Sequence, residues 1–556
     1  MPRQSRLPRA GLPPQRDQGW VALSGSGPVG KGLTADDARA TAKLSRSKEL
    51  AQVIFFPTDS TQPLELPPIF DRVRGLLPDP SRVWLVGGSV RDALLRRPMH
   101  DLDFAVAGDG LAIARSVANR LNAAYYPLDE SRRTGRAVVR EGDEQFFLDF
   151  ASLRGDDLNA DLAGRDFTVN AIAVSLSGQL IDPMGGQADL KAKRLRQCHP
   201  ASIESDPVRA LRAIRLAAQL DFHIERGTRD AARNVAPLID SVAAERVRDE
   251  FMKMLGGRRV AASLRAMDAL GLLARVVPET AALKGVTQSA PHVYDVWEHT
   301  LAVVDHLERL LLVLGRVHDV DAASEYALGY AAGRVGRYRI EISDHLDREL
   351  SVGRATRCLL FFAALMHDIA KPLTRTVEAN GRVRFFDHEV KGAEITEGRA
   401  IVLRLSADEV ARVAAVVQHH MRPVLLALGG AVTPRAVYRF FRDADAAGVD
   451  VCLLTLADLL GTRGVDLGRE EWATRVDTVV ALLDGYYRQL EKVVRPPALI
   501  TGEDVMALGE PQGKRVGQLL EAVREAQAAG EVSTREEAIE LVKRLCEKGS
   551  STDGTD

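Results

Sequence analysis

The sequence contains 556 residues, of which 46% are hydrophobic, so it has enough core-forming side chains for three or four domains. The formal net charge is -2, which excludes a basic surface over the whole molecule; any nucleic-acid contact must come from a local patch. The four cysteines are far apart and form no Cys-x-x-Cys pair, which argues against a disulfide framework and indicates a reducing compartment.

The first 61 residues are rich in Gly, Pro, Ser and Arg and have little hydrophobic periodicity. This composition predicts a disordered basic extension over residues 1–61. The N-terminus has no apolar signal core, and no apolar run reaches the length of a transmembrane helix. We therefore expect a cytoplasmic protein without a membrane partner.

A short strand and a glycine turn are predicted next. The apolar run Val83–Val86 predicts a buried strand, and Gly87 and Gly88 predict the turn that ends it. Ser89 begins a short helical pattern. Backbone N–H groups exposed at such a turn and helix start can bind a phosphate.

Two aspartates begin the following apolar strand. Side chains alternate along a strand, so Asp101 and Asp103 share one face while Leu102 and Phe104 point into the core. Adjacent carboxylates repel unless a cation lies between them, and Mg²⁺ is commonly bound by carboxylates together with substrate phosphates. An isolated Asp-x-Asp is usually a solvated strand end, but the preceding Gly-Gly-Ser turn makes this combination typical of nucleotidyl transfer.

A third carboxylate is predicted on a neighbouring strand. Residues 111–121 predict an amphipathic helix, and apolar segments near residues 123–126, 136–140 and 145–150 predict further strands. Asp149 lies within the last of these and is a candidate third metal carboxylate, although an exposed strand-end aspartate fits the pattern equally well. The polar segment 129–135 predicts a mobile loop.

Two charged clusters follow the strands. Asn170 lies one helical turn after Arg165 and Asp166, and the three side chains could bind a ribose hydroxyl and a phosphate or form a capped helix start with an ion pair. Asp206 and Arg209 are three residues apart at the start of a strong helical pattern, so they can project together or serve only as a cap and surface ion pair.

Six segments occur in this order along the chain: LVGGSVRD, HDLDF, RDFTVNA, DPMGGQADL, SDPVRALRAIR and AERVRDEF. Together they resemble the motifs of class II tRNA nucleotidyltransferases, the CCA-adding enzymes, and of the related bacterial poly(A) polymerases. The resemblance implies that the Asp-x-Asp pair holds catalytic Mg²⁺, that the Arg-Asp-Asn set binds ribose, and that Asp206 and Arg209 read the base. The family usually has Glu before this Asp, where the chain has Ser205. The candidate catalytic carboxylates are Asp101, Asp103 and Asp149. The candidate nucleotide-binding residues are Gly87, Gly88, Ser89, Arg91, Arg165, Asp166, Asn170, Asp206, Arg209 and Arg212.

The implied base-reading pair has a clear chemical logic. Asp only accepts hydrogen bonds at neutral pH, and Arg only donates them. Cytosine and adenine both present an amino donor beside a ring-nitrogen acceptor, whereas uracil and guanine reverse this pattern. Unpaired polar groups are costly, so Asp206 and Arg209 could select C and A without a template.

A second set of ionisable residues begins after residue 291, on apolar helical segments. Imidazole and carboxylate together suit a divalent metal. The ordered set resembles an HD-type metal phosphohydrolase domain, and the positions that match its metal ligands are His299, His367, Asp368 and Asp458. Three further histidines could complete a second metal site or bind phosphate, namely His388, His419 and His420.

The expected fold is α+β: a polymerase-β-like nucleotidyltransferase head with a small mixed sheet, followed by all-α neck, HD and tail regions. The predicted parts are a head at 62–200, a helical neck with the base-reading helix at 201–290, an HD-type helical domain at 291–498, a helical tail at 499–548 and a disordered end at 549–556. A polar insert between residues 314 and 354 has no functional interpretation.

The expected activity is template-independent addition of C and A, from CTP and ATP, to the tRNA 3′ end, with Mg²⁺ as cofactor and pyrophosphate as product. The HD site would take a second divalent metal, Mg²⁺, Mn²⁺ or Ni²⁺.

Three alternative functions stay open. A poly(A) polymerase would share every head motif. An enzyme adding only CC or only A would also fit, with the loop at 129–135 deciding between bases. An HD phosphohydrolase with an RNA-binding head is disfavoured by Asp101 and Asp103. The oligomeric state is left open.

Overall fold

A computed structural model describes residues 19–24, 27–32, 52–56 and 64–550, apart from residues 143, 318 and 320. The chain divides into two compact units, residues 1–235 and 236–556. The predicted neck, residues 201–290, therefore has residues in both units. Of the disordered end predicted at 549–556, residues 549 and 550 belong to the last helix, so the expectation differs from the structure there. Residues 551–556 and most of the predicted N-terminal extension lie outside the described residues.

The first unit is built on strands. These are β1 (Gly19–Ser24), β2 (Gly27–Gly32), β3 (Gln52–Phe56), β4 (Val83–Val86), β5 (Asp101–Val106), β6 (Ala124–Asp129), β7 (Thr134–Glu141), β8 (Glu144–Ser152), β9 (Ala173–Ser175), β10 (Leu180–Ile181), β11 (Arg194–Leu195) and β12 (His223–Ile224). Strands β4 to β10 form a mixed sheet in the order β10-β9-β4-β5-β8-β7-β6. Within it β5 and β8 are parallel and the other neighbouring pairs are antiparallel.

The strands β1 to β3 form a separate antiparallel sheet in the order β2-β1-β3. They lie inside the segment for which the sequence predicts disorder, so the structure differs from the expectation at these three strands. Strands β11 and β12 form a short parallel pair.

The aspartate strand β5 lies at the centre of the sheet because its alternate side chains are apolar. Leu102 and Phe104 are buried, as the alternation predicts. The Phe104 ring stacks on Phe150 at 4.7 Å between centroids and on Phe70 at 6.4 Å. This packing holds β5 against β8 and turns the intervening aspartates to the opposite face.

The helices of the first unit are α1 (Pro68–Leu76), α2 (Gly88–Leu94), α3 (Gly110–Leu121), α4 (Leu158–Ala163), α5 (Gly186–Lys191), α6 (Ser202–Ser205), α7 (Val208–Leu220) and α8 (Arg226–Asn234). Helix α3 packs against β7 and β8. Helix α7 follows Pro207, which has the fixed backbone geometry suited to a helix start.

The second unit consists mainly of helices: α9 (Ala244–Leu255), α10 (Val260–Ala269), α11 (Leu273–Val276), α12 (Val296–Leu314), α13 (Tyr326–Val335), α14 (Arg339–Asp347), α15 (Thr356–Met366), α16 (Lys371–Thr374), α17 (His388–Val402), α18 (Ala407–His419), α19 (Arg422–Leu428), α20 (Pro434–Ala444), α21 (Ala447–Arg463), α22 (Arg469–Arg488), α23 (Gly502–Ala507), α24 (Lys514–Ala528) and α25 (Arg535–Ser550). Two antiparallel hairpins interrupt them: β13 (Glu349–Ser351) with β14 (Arg354–Ala355), and β15 (Arg375–Val377) with β16 (Val383–Phe385). The expectation of a purely α-helical region is therefore corrected at these hairpins.

Two helices of this unit are apolar on nearly all sides, which explains why they lie buried among the other helices. Helix α15 has one residue that is not buried, Arg357, and α21 is buried over most of its length. Helix α21 packs against α12 and α18, and α15 packs against α18. Among the described helices, none combines the length and the apolar character needed to cross a bilayer.

The insert and the tail both have structural roles. Part of the insert forms α13 and α14, and the Trp472 indole N–H on α22 donates to the Ala327 carbonyl at 3.0 Å. In the tail helix α24, Val516, Leu519 and Val523 are buried in one cluster, against which Leu520 packs. These four positions therefore form one apolar face of α24.

Candidate functional site

The glycine turn after β4 lies directly against two of the predicted site residues. Gly87 has a φ of 75°, and a Cβ at this position would lie 2.9 Å from Arg165 Nη1 and 3.6 Å from Asp103 Oδ2. Only glycine combines this backbone conformation with so close an approach. The turn therefore brings the start of α2 next to the carboxylates of β5.

Ser89 and Arg91 are both engaged by the protein itself. The buried Ser89 hydroxyl accepts from the Asp103 backbone N–H at 2.9 Å and donates to the Asp101 carbonyl at 3.1 Å. Arg91 is also buried, and it donates to both carboxylate oxygens of Asp92 and to Asn170 Oδ1 at 2.6 Å. Ser89 thus holds the aspartate strand, and Arg91 holds the predicted ribose-binding asparagine.

The three predicted carboxylates lie on adjacent parallel strands. In the register of the sheet Asp103 lies opposite Asp149, and Asp101 lies two residues earlier on the same face as Asp103. Burial, and then the charge of Asp149, raises the pKa of Asp103 to about 6; burial also raises the pKa of Asp101. Carboxylates destabilised in this way, with oxygen donors only, fit a Mg²⁺ ion.

Asp149 is also held by an arginine that the sequence did not indicate. Arg136 on β7 donates from Nε and Nη2 to the two oxygens of Asp149 at 2.7 and 2.8 Å. A bidentate pair of this kind satisfies much of the Asp149 charge. Arg136 lies 13 residues away in sequence on a neighbouring strand, so local spacing carries no signal for it.

The predicted ribose-binding residues form one network. Asp166 accepts from the Asn170 side chain at 3.0 Å and from the Phe167 N–H at 2.7 Å, and Arg212 Nε lies 2.9 Å from its other oxygen. Burial acts to raise the pKa of Asp166, but the Arg212 charge and these hydrogen bonds outweigh it and lower that pKa. Together with Arg91, this network fixes Asp166 as a charged acceptor.

The segment after Arg165 is a short 3-10 helix, Thr168–Asn170, and a second glycine supports it. A Cβ on Gly186 would overlap the Thr168 carbonyl oxygen. The Thr168 hydroxyl donates at 2.6 Å to the buried carboxylate of Asp189, which also accepts from two arginines of the following segment. The Asp-Pro-Met-Gly-Gly turn and the helix that follows it therefore pack against the Thr168–Asn170 segment and hold it in place.

The predicted base-reading pair is brought together at the start of α7. Arg209 Nε lies 3.7 Å from Asp206 Oδ2. Arg209 Nη1 also donates to the Ser202 hydroxyl at 2.6 Å and to the Arg165 carbonyl at 3.4 Å. Ser205, where the family usually has Glu, donates to the Ser202 carbonyl at 3.0 Å. The pair is therefore tied to the segment that carries Arg165.

The second unit gathers its predicted metal ligands at one buried place. Two groups of ligand atoms each lie within 4.8 Å of one another: His299, His367 and Asp458 in the first, and Asp368, His388 and His420 in the second. We call these six residues the metal centre. Asp368 faces both groups, because its Oδ2 lies 3.2 Å from His367 Nε2 and its Oδ1 lies 3.4 Å from His388 Nε2.

Three histidines of the metal centre are held in one tautomer. The Nδ1 atoms of His367, His388 and His420 lie 2.7–2.9 Å from the carbonyl oxygens of Ala364, Phe385 and Val417. A carbonyl oxygen only accepts, so Nδ1 carries the proton and Nε2 presents a lone pair. This is the arrangement that orients histidine for metal binding.

The metal centre has the donors and the charge that a divalent metal requires. His299 Nε2 and His367 Nε2 are buried and make no hydrogen bond of good geometry within the described structure, although carboxylate oxygens of Asp368 and Asp458 lie 3.2–3.3 Å from His299 Nε2. Burial acts to lower the pKa of His299, but the carboxylates of Asp368 and Asp458 outweigh it and raise that pKa to about 9. In the absence of metal a proton on His299 offsets the carboxylates, and the two donor groups could hold two metal ions.

Two further residues belong to this centre, and one predicted residue does not. Lys371 Nζ lies 2.7 Å from Asp368 Oδ2 and donates to Gln288 Oε1 at 2.6 Å. The three-residue spacing from Asp368 could have indicated Lys371, whereas Gln288 is 83 residues away from Lys371 and has no local signal. His419 lies outside both ligand groups and is half-buried; burial, and then the charge of Arg422, lowers its pKa.

Comparison with known protein families agrees with these sites. The model of the Poly A polymerase head domain matches residues 83–196, that of the probable RNA and SrmB-binding site of polymerase A matches residues 221–284, and that of the HD domain matches residues 292–463. Together with the fold, these matches define a nucleotidyltransferase with an attached HD domain.

Two curated relatives cover most of the chain. An A-adding tRNA nucleotidyltransferase of Deinococcus radiodurans is 36% identical over 86% of this chain and 99% of the relative. A CC-adding tRNA nucleotidyltransferase of Thermus thermophilus is 35% identical over 83% of this chain and 92% of the relative. The chain belongs to the tRNA nucleotidyltransferase family.

Solved structures show the same fold. A CCA-adding enzyme in complex with CTP matches with a TM-score of 0.54 and 21% identity, over 87% of this chain and 96% of that one. A Thermotoga maritima CCA-adding enzyme complexed with tRNA matches with a TM-score of 0.51 and 20% identity, over 86% and 96% of the two chains. The α+β architecture expected from the sequence is thereby confirmed.

The two ligand groups predict the metal stoichiometry of the second unit. The parent protein for this test carries Asp101→Ala and Asp103→Ala, so that metal bound by the first unit is not counted. We expect this parent to hold two tightly bound divalent ions per chain. His388→Ala should hold one ion fewer, because His388 belongs to the second group only. Metal analysis after dialysis against Mn²⁺ or Ni²⁺ measures this. His419→Ala is the matched control and should keep the parent value. An unchanged stoichiometry in His388→Ala would rule out the second group.

Proposed function

We propose that the protein is a template-independent nucleotidyltransferase that adds C and A, from CTP and ATP, to the 3′ end of tRNA in the cytoplasm. The observation that carries this is the position of Asp103 against the Gly87 turn and Arg165, with Asp101 on the same face of β5, in a chain of the tRNA nucleotidyltransferase family. The 3′ hydroxyl oxygen forms a bond to the α-phosphorus, the bond from that phosphorus to the β-phosphate oxygen breaks, and pyrophosphate leaves.

The residues of the first unit have distinct roles in this reaction. The turn at Gly87 and Gly88 holds the triphosphate, and Asp166, charged in its network with Arg212 and Asn170, accepts from a ribose hydroxyl. Asp101 and Asp103 would hold Mg²⁺, which when bound activates the nucleophile and stabilises charge on the leaving group. Asp149 holds Arg136 close to this group of carboxylates.

Base selection depends on Asp206 and Arg209. The carboxylate accepts from the amino group shared by cytosine and adenine, and the guanidinium donates to their ring nitrogen. With uracil or guanine the carboxylate would face a carbonyl oxygen and the guanidinium would face a ring N–H. Each group left without a hydrogen bond would cost about 1–3 kcal/mol.

A second candidate is an enzyme that adds only one of the two nucleotides. The two curated relatives above are named A-adding and CC-adding, which supports this alternative. Of the segment 129–135, predicted to be a loop that decides between bases, residues 130–133 form a tight turn and the remaining residues end β6 and begin β7. Asp129 accepts from the Ser131 hydroxyl and the Arg132 N–H across this turn.

For the second unit we propose metal-dependent phosphoester hydrolysis. The observation that carries it is Asp368, whose two carboxylate oxygens face His367 of the first ligand group and His388 of the second within one buried set of metal-ligating side chains. Bound Mg²⁺, Mn²⁺ or Ni²⁺ would polarise the phosphoryl group and activate water near neutral pH. With a 2′,3′-cyclic phosphate, the water oxygen bonds to phosphorus, the bond from phosphorus to the 3′ oxygen breaks, and that oxygen takes up a proton, so the products are a 2′-phosphate and a free 3′ hydroxyl and no other reactant is needed.

Nucleotide addition is tested with tRNAs that end before C, CC or A, each incubated with one labelled nucleotide at a time. We expect CTP to extend the first two and ATP the third. Asp103→Asn should lower addition by about a thousandfold, because a Mg²⁺ ligand contributes several kcal/mol in the transition state, with tRNA affinity unchanged. The exposed Asp156→Asn is the control. ATP alone or CTP alone as substrate would select the second candidate, and an active Asp103→Asn would refute the assignment.

Selectivity is tested with Arg209→Ala. Loss of a charged donor to the base should lower kcat/KM for CTP and ATP roughly 10- to 100-fold and reduce the preference over UTP and GTP. Competition assays with all four nucleotides measure this, and melting temperatures identify any variant that misfolds. Arg209→Lys separates charge from geometry, and Arg215→Ala on the same helix is the matched control. A preference identical to that of the parent protein would mean that Arg209 only caps the helix.

Hydrolysis is tested with RNA ending in a 2′,3′-cyclic phosphate and with phosphomonoesters, in Mg²⁺, Mn²⁺ or Ni²⁺. Asp368→Asn should abolish hydrolysis, because this carboxylate faces both ligand groups, while nucleotide addition continues at the parent rate. His419→Ala should retain both activities. A parent protein that binds no metal and hydrolyses none of these substrates would leave the metal centre a structural cluster only.

A further inference from the structure

A hairpin lies directly against the metal centre. Strands β15 and β16 pair with Arg375 opposite Phe385 and Val377 opposite Val383. The Phe385 carbonyl accepts from His388 Nδ1 at 2.9 Å, and Lys371 Nζ, which lies 2.7 Å from Asp368, is 5.3 Å from the centre of the Phe385 ring. One end of the hairpin is therefore held next to two residues of the metal centre: it contacts His388 directly and Asp368 through Lys371.

The loop that precedes α12 is attached to the same hairpin. The Val383 N–H donates to the Ser289 hydroxyl at 2.8 Å, and Arg375 donates to the Thr287 hydroxyl at 3.4 Å. The next residue of this loop, Gln288, accepts from Lys371. Residues 287–292 and 375–386 thus form one connected surface, which we call the rim of the metal centre.

The rim is basic and has an exposed aromatic side chain. The hairpin segment 375–385 contains three arginines, Arg375, Arg382 and Arg384, and one acid, Glu378. Arg384 and Glu378 offset each other at 3.4 Å, which leaves Arg375 and Arg382 as exposed positive charges. The next residue after the hairpin, Phe386, is 62% exposed. An exposed aromatic ring beside arginines is the combination that binds single-stranded nucleic acid, by base stacking and phosphate contacts.

The charges around the Phe386 ring determine where a negatively charged phosphate chain can lie. Asp387 follows Phe386 directly and is exposed, and Glu389 lies 3.2 Å from His388 Nδ1. These two acids lie on the helix side of Phe386, whereas the arginines lie on the hairpin side. A phosphate chain is therefore favoured along the hairpin, with its terminal phosphoester directed to the metal centre.

We infer that the rim binds the last nucleotides of a single-stranded RNA, so that the substrate of the metal centre is a phosphoester at an RNA 3′ end rather than a free nucleotide or small phosphate ester. This inference rests on the proposed phosphoesterase activity. Phe386 stacks on a terminal base, Arg375 and Arg382 contact backbone phosphates, and Lys371 beside Asp368 faces the reacting phosphoryl group. Stacking accepts any base, so the rim would select the RNA end and not its sequence.

The test compares two substrates of the same full-length protein: a short single-stranded RNA ending in a 2′,3′-cyclic phosphate, and bis(p-nitrophenyl) phosphate. In Phe386→Leu the ratio of kcat/KM for RNA to that for the small diester should fall about tenfold or more, as expected for one lost base stack. Phe386→Tyr keeps an aromatic ring and should keep the ratio. Arg337→Ala, an exposed arginine elsewhere in this unit, is the control for general loss of charge.

Salt dependence gives an independent measure. In the double variant Arg375→Ala, Arg382→Ala, the slope of log kcat/KM for RNA against log salt concentration should become shallower by about 0.7 for each arginine removed. An unchanged ratio and slope in these variants, with both substrates hydrolysed, would overturn the inference alone and would leave the rim as a surface for a protein partner. Failure of the parent protein to hydrolyse either substrate would refute the phosphoesterase proposal and this inference with it.

Discussion

Carboxylates that face each other away from water must be offset by positive charge, and both units are arranged around this constraint. In the first unit Asp103 lies opposite Asp149, which pairs with Arg136, and burial followed by the charge of Asp149 keeps the pKa of Asp103 raised. In the second unit Asp368 and Asp458 are offset by His299 and Lys371. Both places are stable as protein structures, yet each retains carboxylate oxygens able to take a divalent cation in place of a proton.

The supporting residues explain how the first site can be preorganised. Ser89 joins the backbone at Asp101 and Asp103, Arg91 fixes Asn170, and Asn170 in turn fixes Asp166. Each group that would touch a nucleotide is therefore held by a neighbour that is itself buried. Such a chain of fixed side chains orients reacting groups before the substrate arrives, which is the main contribution that positioning makes to phosphoryl transfer.

The two proposed activities are chemically related. Nucleotide addition needs a free 3′ hydroxyl, and a damaged RNA end that carries a cyclic phosphate or a phosphate lacks it. A phosphoesterase in the same chain, with a rim suited to a single-stranded end, would produce the group that the first unit uses. The metal centre and the aspartate strand belong to different units, so the two proposed activities would use separate sets of residues.

The sequence by itself determined the elements whose signals are local. The apolar runs defined β4 and β5, the alternation in β5 placed Asp101 and Asp103 on one face, and the motif order indicated both domains. The tertiary structure alone decided which side chains meet. His419 and His420 are neighbours in sequence, but successive residues of a helix point about 100° apart, so only His420 reaches the metal centre. The pairing of Arg136 with Asp149 and of Gln288 with Lys371 depends on strand register and loop packing, which no local period encodes.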